Sequence, residues 1–216
     1  MYQAKSLWRT LAAVASVLTL FAILPASASA GLLSVGDTLY PAPVTSSPVS
    51  GELEIEQEVP FTTAVYSGTL TTKVYSGDPA NPLGGYTFVY QVTNNASSIN
   101  VIQRLTVNDF ASCDVDASYQ LPGLAPAFID RNTADTIGFS FLKAPIGLGG
   151  LTPGTTTALL VLHTNSTRYT PTQAAIIDGA VASVPSFAPG AVPEPGTMIA
   201  LGIGAAALLR RRRKQA

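Results

Sequence analysis

The 216-residue chain has one cysteine, Cys113, and one histidine, His163. A single thiol cannot form an intrachain disulfide, so the fold must be held together by its core. Cys113 could be a nucleophile or an intermolecular link. His163 lies far from it in sequence and no third catalytic group is indicated, so we interpret Cys113 as a small, half-buried residue.

Recognisable catalytic motifs are missing as well. The chain contains no GxSxG, no HExxH and no glycine loop of the kind that binds phosphate. The remaining polar candidates for hydrolysis are Asp130, Arg131, Asp135 and His163, but a chain of this length contains such residues by chance. The sequence therefore predicts a protein that is not an enzyme and uses no cofactor.

Positive charge is scarce between residues 31 and 191. That region holds 12 acidic residues against five Lys and Arg, a net charge of about −7, because most basic residues lie at the two ends of the chain. An acidic body repels phosphate backbones, so nucleic acid is excluded as a partner.

The N-terminal 30 residues have the layout of a secretory signal peptide. Lys5 and Arg9 precede an apolar stretch from Leu11 to Leu24, and small residues follow. We expect cleavage after Ala28 or Ala30, which would make this an exported protein.

Between its ends the chain lacks any sustained helical period. Apolar residues instead alternate with polar ones, as at Phe88, Tyr90 and Val92, and Gly, Pro and Asn separate these runs. Leu159–Leu162 is apolar throughout, which is typical of a central, covered strand. The pattern predicts an all-β antiparallel sandwich over residues 51–184, with a flexible lead-in at 31–50 and a linker at 185–191.

Two acidic groups are candidate calcium ligands. On a strand, Glu52, Glu54, Glu56 and Glu58 would form one stripe, which favours a solvated edge because a straight stripe cannot wrap an ion. The second group is Asp109, Asp114 and Asp116. Its spacing does not match the twelve-residue calcium loop, so we predict no metal site.

The last 25 residues combine three features. Val192, Pro193, Glu194 and Pro195 form a short acidic-proline motif, 14 uncharged residues follow from Gly196 to Leu209, and Arg210, Arg211, Arg212 and Arg213 end the apolar run. As a helix the uncharged segment would be about 21 Å long, short for a hydrocarbon layer of about 30 Å. The arginines would stop it at the cytoplasmic surface and leave the body tethered outside.

This arrangement closely resembles the PEP-CTERM family: Val192–Thr197 corresponds to its signature, Met198–Leu209 to its short transmembrane helix and Arg210–Arg213 to its basic cluster. The resemblance implies that the tail is a sorting signal for exosortase, a membrane cysteine enzyme thought to cut near the motif. This chain would then be the substrate.

For the body we expect a structural or adhesive role at the cell surface or in the exopolysaccharide matrix. The alternative is a secreted module that binds or cleaves sugars. Tyrosines on a concave face would favour sugar binding, and two carboxylates in a cleft would favour cleavage. The tyrosines to inspect are Tyr75, Tyr86, Tyr119 and Tyr169.

Overall fold

The computed structural model describes residues 31–111, 113–133, 136–143 and 148–190. Their regular secondary structure is entirely β, in two antiparallel six-stranded sheets that pack face to face, so the predicted antiparallel sandwich is confirmed. Within these residues no helix is long and apolar enough to cross a bilayer. The predicted signal helix and C-terminal helix lie outside them.

We number the strands in chain order and call the two sheets A and B. Sheet A contains, from edge to edge, β1 (Gly31–Leu32), β7 (Val115–Gln120), β12 (Leu159–Thr164), β5 (Thr87–Asn94), β4 (Ser67–Ser76) and β3 (Glu52–Thr62). Sheet B contains β14 (Ala180–Pro189), β13 (Tyr169–Asp178), β6 (Arg104–Val107), β9 (Thr136–Ser140), β8 (Phe128–Thr133) and β2 (Thr38–Leu39). A small third pair joins β10 (Leu142–Lys143) to β11 (Leu148–Gly149).

Period-two alternation produces the core between the sheets. Phe88, Tyr90 and Val92 point from β5 into it and are fully buried, as the alternation predicts. The apolar run Leu159–Leu162 forms β12 in the middle of sheet A. Its Val161 faces away from the core and is nevertheless buried, which is why this strand is apolar on both faces.

Hydroxyl groups connect the two sheets across the core. Tyr90 of β5 donates to the carbonyl oxygen of Phe187 at 2.7 Å, and Thr72 of β4 hydrogen-bonds Ser186 at 3.0 Å. The Tyr66 hydroxyl donates to the carbonyl oxygen of Ile176 at 2.8 Å. These contacts hold the final hairpin, β13 and β14, against sheet A and satisfy groups that would be costly to bury unpaired.

The segment predicted as a flexible lead-in is part of the fold. Its β1 pairs with β7, its β2 pairs with β8, and Leu33 between them is buried. The amide of Thr45 donates to Tyr119 on β7, and the amide of Ser50 donates to Asp78, which follows β4. Residues 45–50 therefore run across sheet A from one side to the other. Proline and serine indicated a loop, whereas the hydrogen-bond partners lie far away in sequence.

The predicted linker at 185–191 also begins inside the sheet. Residues 185–189 are the last five of β14, and there Phe187 and Ala188 are buried. Pro185 and Pro189 suggested a spacer because proline cannot donate to a sheet ladder. An edge strand tolerates proline, and β14 is the edge of sheet B. The sandwich thus extends to Pro189.

Candidate functional site

The described part of the chain ends at Gly190, which is hydrogen-bonded to a neighbouring turn. The amide of Gly190 donates to the carbonyl of Arg168 at 2.9 Å, and the Ser166 hydroxyl lies 3.2 Å from the carbonyl oxygen of Gly190. The amide of Tyr86 in turn donates to Ser166 at 2.7 Å. We call the loop 77–86, the turn 165–168 and Gly190 together the exit end.

Aromatic rings support the exit end from below. The rings of Tyr86 and Tyr169 are 5.9 Å apart, and Phe187 packs edge-on against Tyr169 at 5.7 Å. Burial raises the pKa of the Tyr86 hydroxyl, and the nearby negative charges of Glu54 and Glu52 raise it further. The start of β3 therefore also lies close to the exit end.

The four tyrosines considered for sugar binding do not form one surface. Tyr86 and Tyr169 lie together, and both are partly buried against the core. Tyr119 also packs against the core, on β7. Tyr75 is on β4, and two strands, β12 and β5, separate it from β7 in sheet A.

The candidate hydrolytic residues are likewise kept apart. Asp130 on β8 forms an ion pair with Arg104 of β6, across Gly138 of β9, where a side chain would collide with the guanidinium. Arg131 is buried in sheet B, whereas His163 is on β12 in sheet A. Asp135 lies outside the described residues.

A β-bulge divides the predicted glutamate stripe. The pairing of β3 with β4 shifts between Leu53 and Ile55, and this extra residue puts Glu52 and Glu56 on opposite faces of the strand. The prediction of one four-carboxylate face was therefore wrong. Glu56 instead forms an ion pair with Lys73 at 2.9 Å, and β3 is the exposed edge of sheet A.

The second acidic group is also dispersed. Asp109 accepts a hydrogen bond from Thr172, and Asp114 accepts one from the Asn165 amide at 2.9 Å. Asp116 belongs to β7, with its side chain buried. Across the described ranges, no three His, Cys, Asp or Glu side chains are grouped so that they could hold a metal ion.

Cys113 is a buried thiol beside this segment. It is 8% exposed and its Sγ contacts the carbonyl oxygen of Phe110 at 3.5 Å. Burial raises its pKa to about 11. A thiol that stays protonated at neutral pH is a poor nucleophile, which agrees with a packing role.

The sequence did not reveal a buried polar cluster on the outer face of sheet A. His163 on β12 is paired across the sheet with Asp116 on one side and Thr87 on the other. Its Nε2 lies 3.7 Å from Asp78, which also accepts a hydrogen bond from Thr87 at 2.9 Å. These residues are far apart in sequence, so no local pattern could have indicated the cluster.

Burial shifts the pKa values of this cluster in opposite directions. It raises the pKa of Asp116 to about 6 and lowers that of His163, while the charge of Asp78 partly opposes the change at His163. Both pKa shifts have the same cause, because desolvation disfavours the charged form of a buried group.

We expect an Asp116→Asn variant to alter how stability depends on pH. From about pH 4 to pH 6 the folded state binds more protons at Asp116 than the unfolded state does. The free energy of unfolding of the wild type therefore falls as pH rises through this window. The variant should be more stable than wild type by about 1–2 kcal/mol at pH 7.5 and equally stable below pH 4. Urea denaturation across this pH range measures the difference.

The same chemical change at an exposed position, Asp114→Asn, is the matched control, and it should keep the loss of stability between about pH 4 and pH 6 because Asp116 is intact in it. Because His163 is present in wild type and variant, its own titration contributes to both profiles. Parallel curves for wild type and Asp116→Asn would contradict the assignment of the titration to Asp116.

Comparison with known families gives a match immediately after the exit end. A family model described as the PEP-CTERM protein-sorting motif matches residues 191–214. The chain carries a PEP-CTERM sorting motif. It indicates an exported protein that an exosortase-type enzyme sorts at the membrane. No curated protein and no solved structure matches the chain.

The residues predicted to act in the PEP-CTERM motif lie outside the described part of the chain, and so do those predicted for signal cleavage. They are Val192, Pro193, Glu194 and Pro195 in the motif, Arg210 to Arg213 in the basic cluster, and Ala28 and Ala30 in the leader. The structure does describe the residue from which the motif departs, because the family match begins at the position after Gly190. Most of the linker that the sequence predicted between body and motif is strand, because residues 185–189 belong to β14.

Proposed function

We propose that this protein is an exported component of the cell envelope, with a tail cut by exosortase and a β-sandwich that serves a structural or adhesive role. The observation that carries the proposal is the PEP-CTERM sorting motif at residues 191–214, directly after the last strand. After processing, the body reaches the cell surface or the extracellular polysaccharide matrix.

The tail supplies a transient membrane anchor in this proposal. Its 14 uncharged residues are short for a permanent span, but local thinning of the bilayer and the flanking side chains can compensate for part of the deficit. The arginines that follow stay at the cytoplasmic surface. The precursor is thus held beside a membrane enzyme until its tail is removed.

The packing of the sandwich favours a structural role for the body. Two of the polar residues considered for chemistry have structural partners: Arg131 donates to the carbonyls of Leu33 and Phe110, and Asp130 binds Arg104. Hydrogen bonds across the core hold the two sheets together. Such a body resists unfolding outside the cell, and we propose that it has no catalytic activity of its own.

The alternative is a carbohydrate-binding or carbohydrate-cleaving module sorted by the same route, and the Tyr86–Tyr169 pair is the feature that favours binding. Sugar stacking requires open ring faces. Tyr169 is packed between Tyr86 and Phe187, and both tyrosines are partly buried, so little ring surface is free. We therefore prefer the structural role.

The mass of the intact protein from its native host, with and without the sorting enzyme, tests the proposal. In the presence of the enzyme we expect a mature form that lacks both the leader and the tail residues after the motif. In its absence the tail should remain. Mature protein that keeps its terminal arginines beside an active enzyme would refute exosortase sorting.

A further inference from the structure

The distance between the folded body and the sorting motif is short. Gly190 is hydrogen-bonded to the turn 165–168, and three residues separate it from Glu194. A fully extended chain covers about 14 Å over those four steps. An enzyme that binds Glu194 must therefore work within about 14 Å of the sandwich.

We propose that the exit end is a docking surface for the sorting enzyme. The inference rests on the proposed function and adds to it the part of the body that the enzyme contacts. Enzymes that process peptides bind several residues of an extended segment in a cleft. A cleft that holds Val192 to Pro195 comes up against the turn 165–168, which is hydrogen-bonded to Gly190, and against the loop 77–86, which is hydrogen-bonded to that turn.

Side-chain hydrogen bonds order the exit end. The Asn165 side chain exchanges two hydrogen bonds with Asp114, at 2.9 and 3.0 Å. Asn81 is buried in the loop and donates to the carbonyls of Gly85 at 2.8 Å and Thr164 at 3.1 Å, which ties the loop to the end of β12. A surface that is already ordered loses little conformational entropy on docking.

A protein partner fits this surface better than the lipid bilayer does. Glu194 is four residue steps from Gly190, whereas the apolar run beginning at Met198 is eight steps away, up to about 28 Å. Glu52, which is exposed, pairs with Ser76 directly before the loop 77–86, so a negative charge also lies at this end. An anionic lipid surface would repel this charge.

A bulky substitution at Thr167 tests the contact in the full-length precursor. Thr167 is exposed in the turn 165–168, and Ser97, exposed in a turn after β5, is the matched position at the opposite end of the sandwich. We expect Thr167→Trp to slow tail removal in pulse-chase mass analysis by about fivefold or more, the effect of a misfit in a docked interface. Ser97→Trp should be processed at the wild-type rate.

A spacer separates docking from other causes of slow processing. Twelve Gly and Ser residues inserted after Gly190 move the body away by about 19 Å on average. In this background Thr167→Trp should be processed as fast as the spacer protein without the substitution. Protease resistance of the sandwich in the same cells checks that the variants fold.

Each other outcome overturns the docking surface. A wild-type rate for Thr167→Trp would do so, and a faster rate would indicate a lipid contact, because tryptophan favours the membrane interface. Equal slowing by both tryptophans, or slowing that the spacer does not relieve, would also refute it. If the wild-type precursor were not trimmed at all, the proposed function itself would be wrong, so the two failures are distinguishable.

Discussion

Replacing Glu194 by alanine is expected to leave export intact and to slow tail removal strongly. Pro193 and Pro195 favour an extended backbone on either side of Glu194 and lack the amide hydrogens that a helix would use. We therefore expect the enzyme to bind the motif as an extended segment with a single charged side chain. Loss of a hydrogen bond to a charged group costs about 1.5–3 kcal/mol, which slows processing by roughly 10- to 150-fold.

Mass spectrometry of the secreted and membrane fractions measures this effect. Pro195→Ala should behave in the same way, because it relaxes the extended backbone. Glu58→Ala removes an exposed carboxylate from the edge strand β3 and serves as the control, with normal trimming expected. If the tail of the Glu194→Ala variant were removed as completely as that of the wild type, the role assigned to Glu194 would be refuted.

Replacing Arg131 by alanine is expected to be the most destabilising substitution in the body. Its guanidinium is buried and donates to the carbonyls of Leu33 at 3.1 Å, Phe110 at 2.6 Å and Cys113 at 3.2 Å. It therefore joins the lead-in segment and the loop before β7 to sheet B. Alanine would leave three buried acceptors without these donors and create a cavity, at a cost of about 3–5 kcal/mol.

Urea denaturation of the processed protein, followed by circular dichroism, gives the change in the free energy of unfolding. The control is Arg168→Ala, since Arg168 is exposed and holds Gly190 through its backbone carbonyl. We expect the control to change stability by less than about 0.5 kcal/mol. A loss below 1 kcal/mol for Arg131→Ala would mean that the three carbonyls find other donors.

Local pattern was sufficient to predict several strands of the body, including β5 and β12. Alternation at Phe88, Tyr90 and Val92 correctly indicated which face of β5 enters the core, and the apolar run at Leu159–Leu162 correctly indicated a central strand. Both features depend on residues within one strand, because side chains alternate along it with a period of two.

The flexible lead-in and the linker, both predicted to lie outside the sandwich, could not be identified as strands in this way. The strands at residues 31–32 and 38–39 are very short, and β14 contains prolines that usually mark a loop. Their structure depends on partners such as Val115, Tyr119 and Tyr169, which are distant in sequence. The bulge that separates Glu52 from Glu56 is likewise a property of the pairing with β4.

By itself, the sequence determined the sorting motif of this protein, because the motif is recognised from neighbouring residues in a set order. The sequence also predicts an export leader ahead of the body. Only the tertiary structure decided which parts of the body lie beside Gly190, the residue before the motif. Three features join residues that are distant in sequence. They are the hydrogen bond to Gly190, the burial of Arg131, and the approach of His163 to Asp78 and Asp116. Such contacts exist because folding brings distant strands side by side, and no local pattern encodes them.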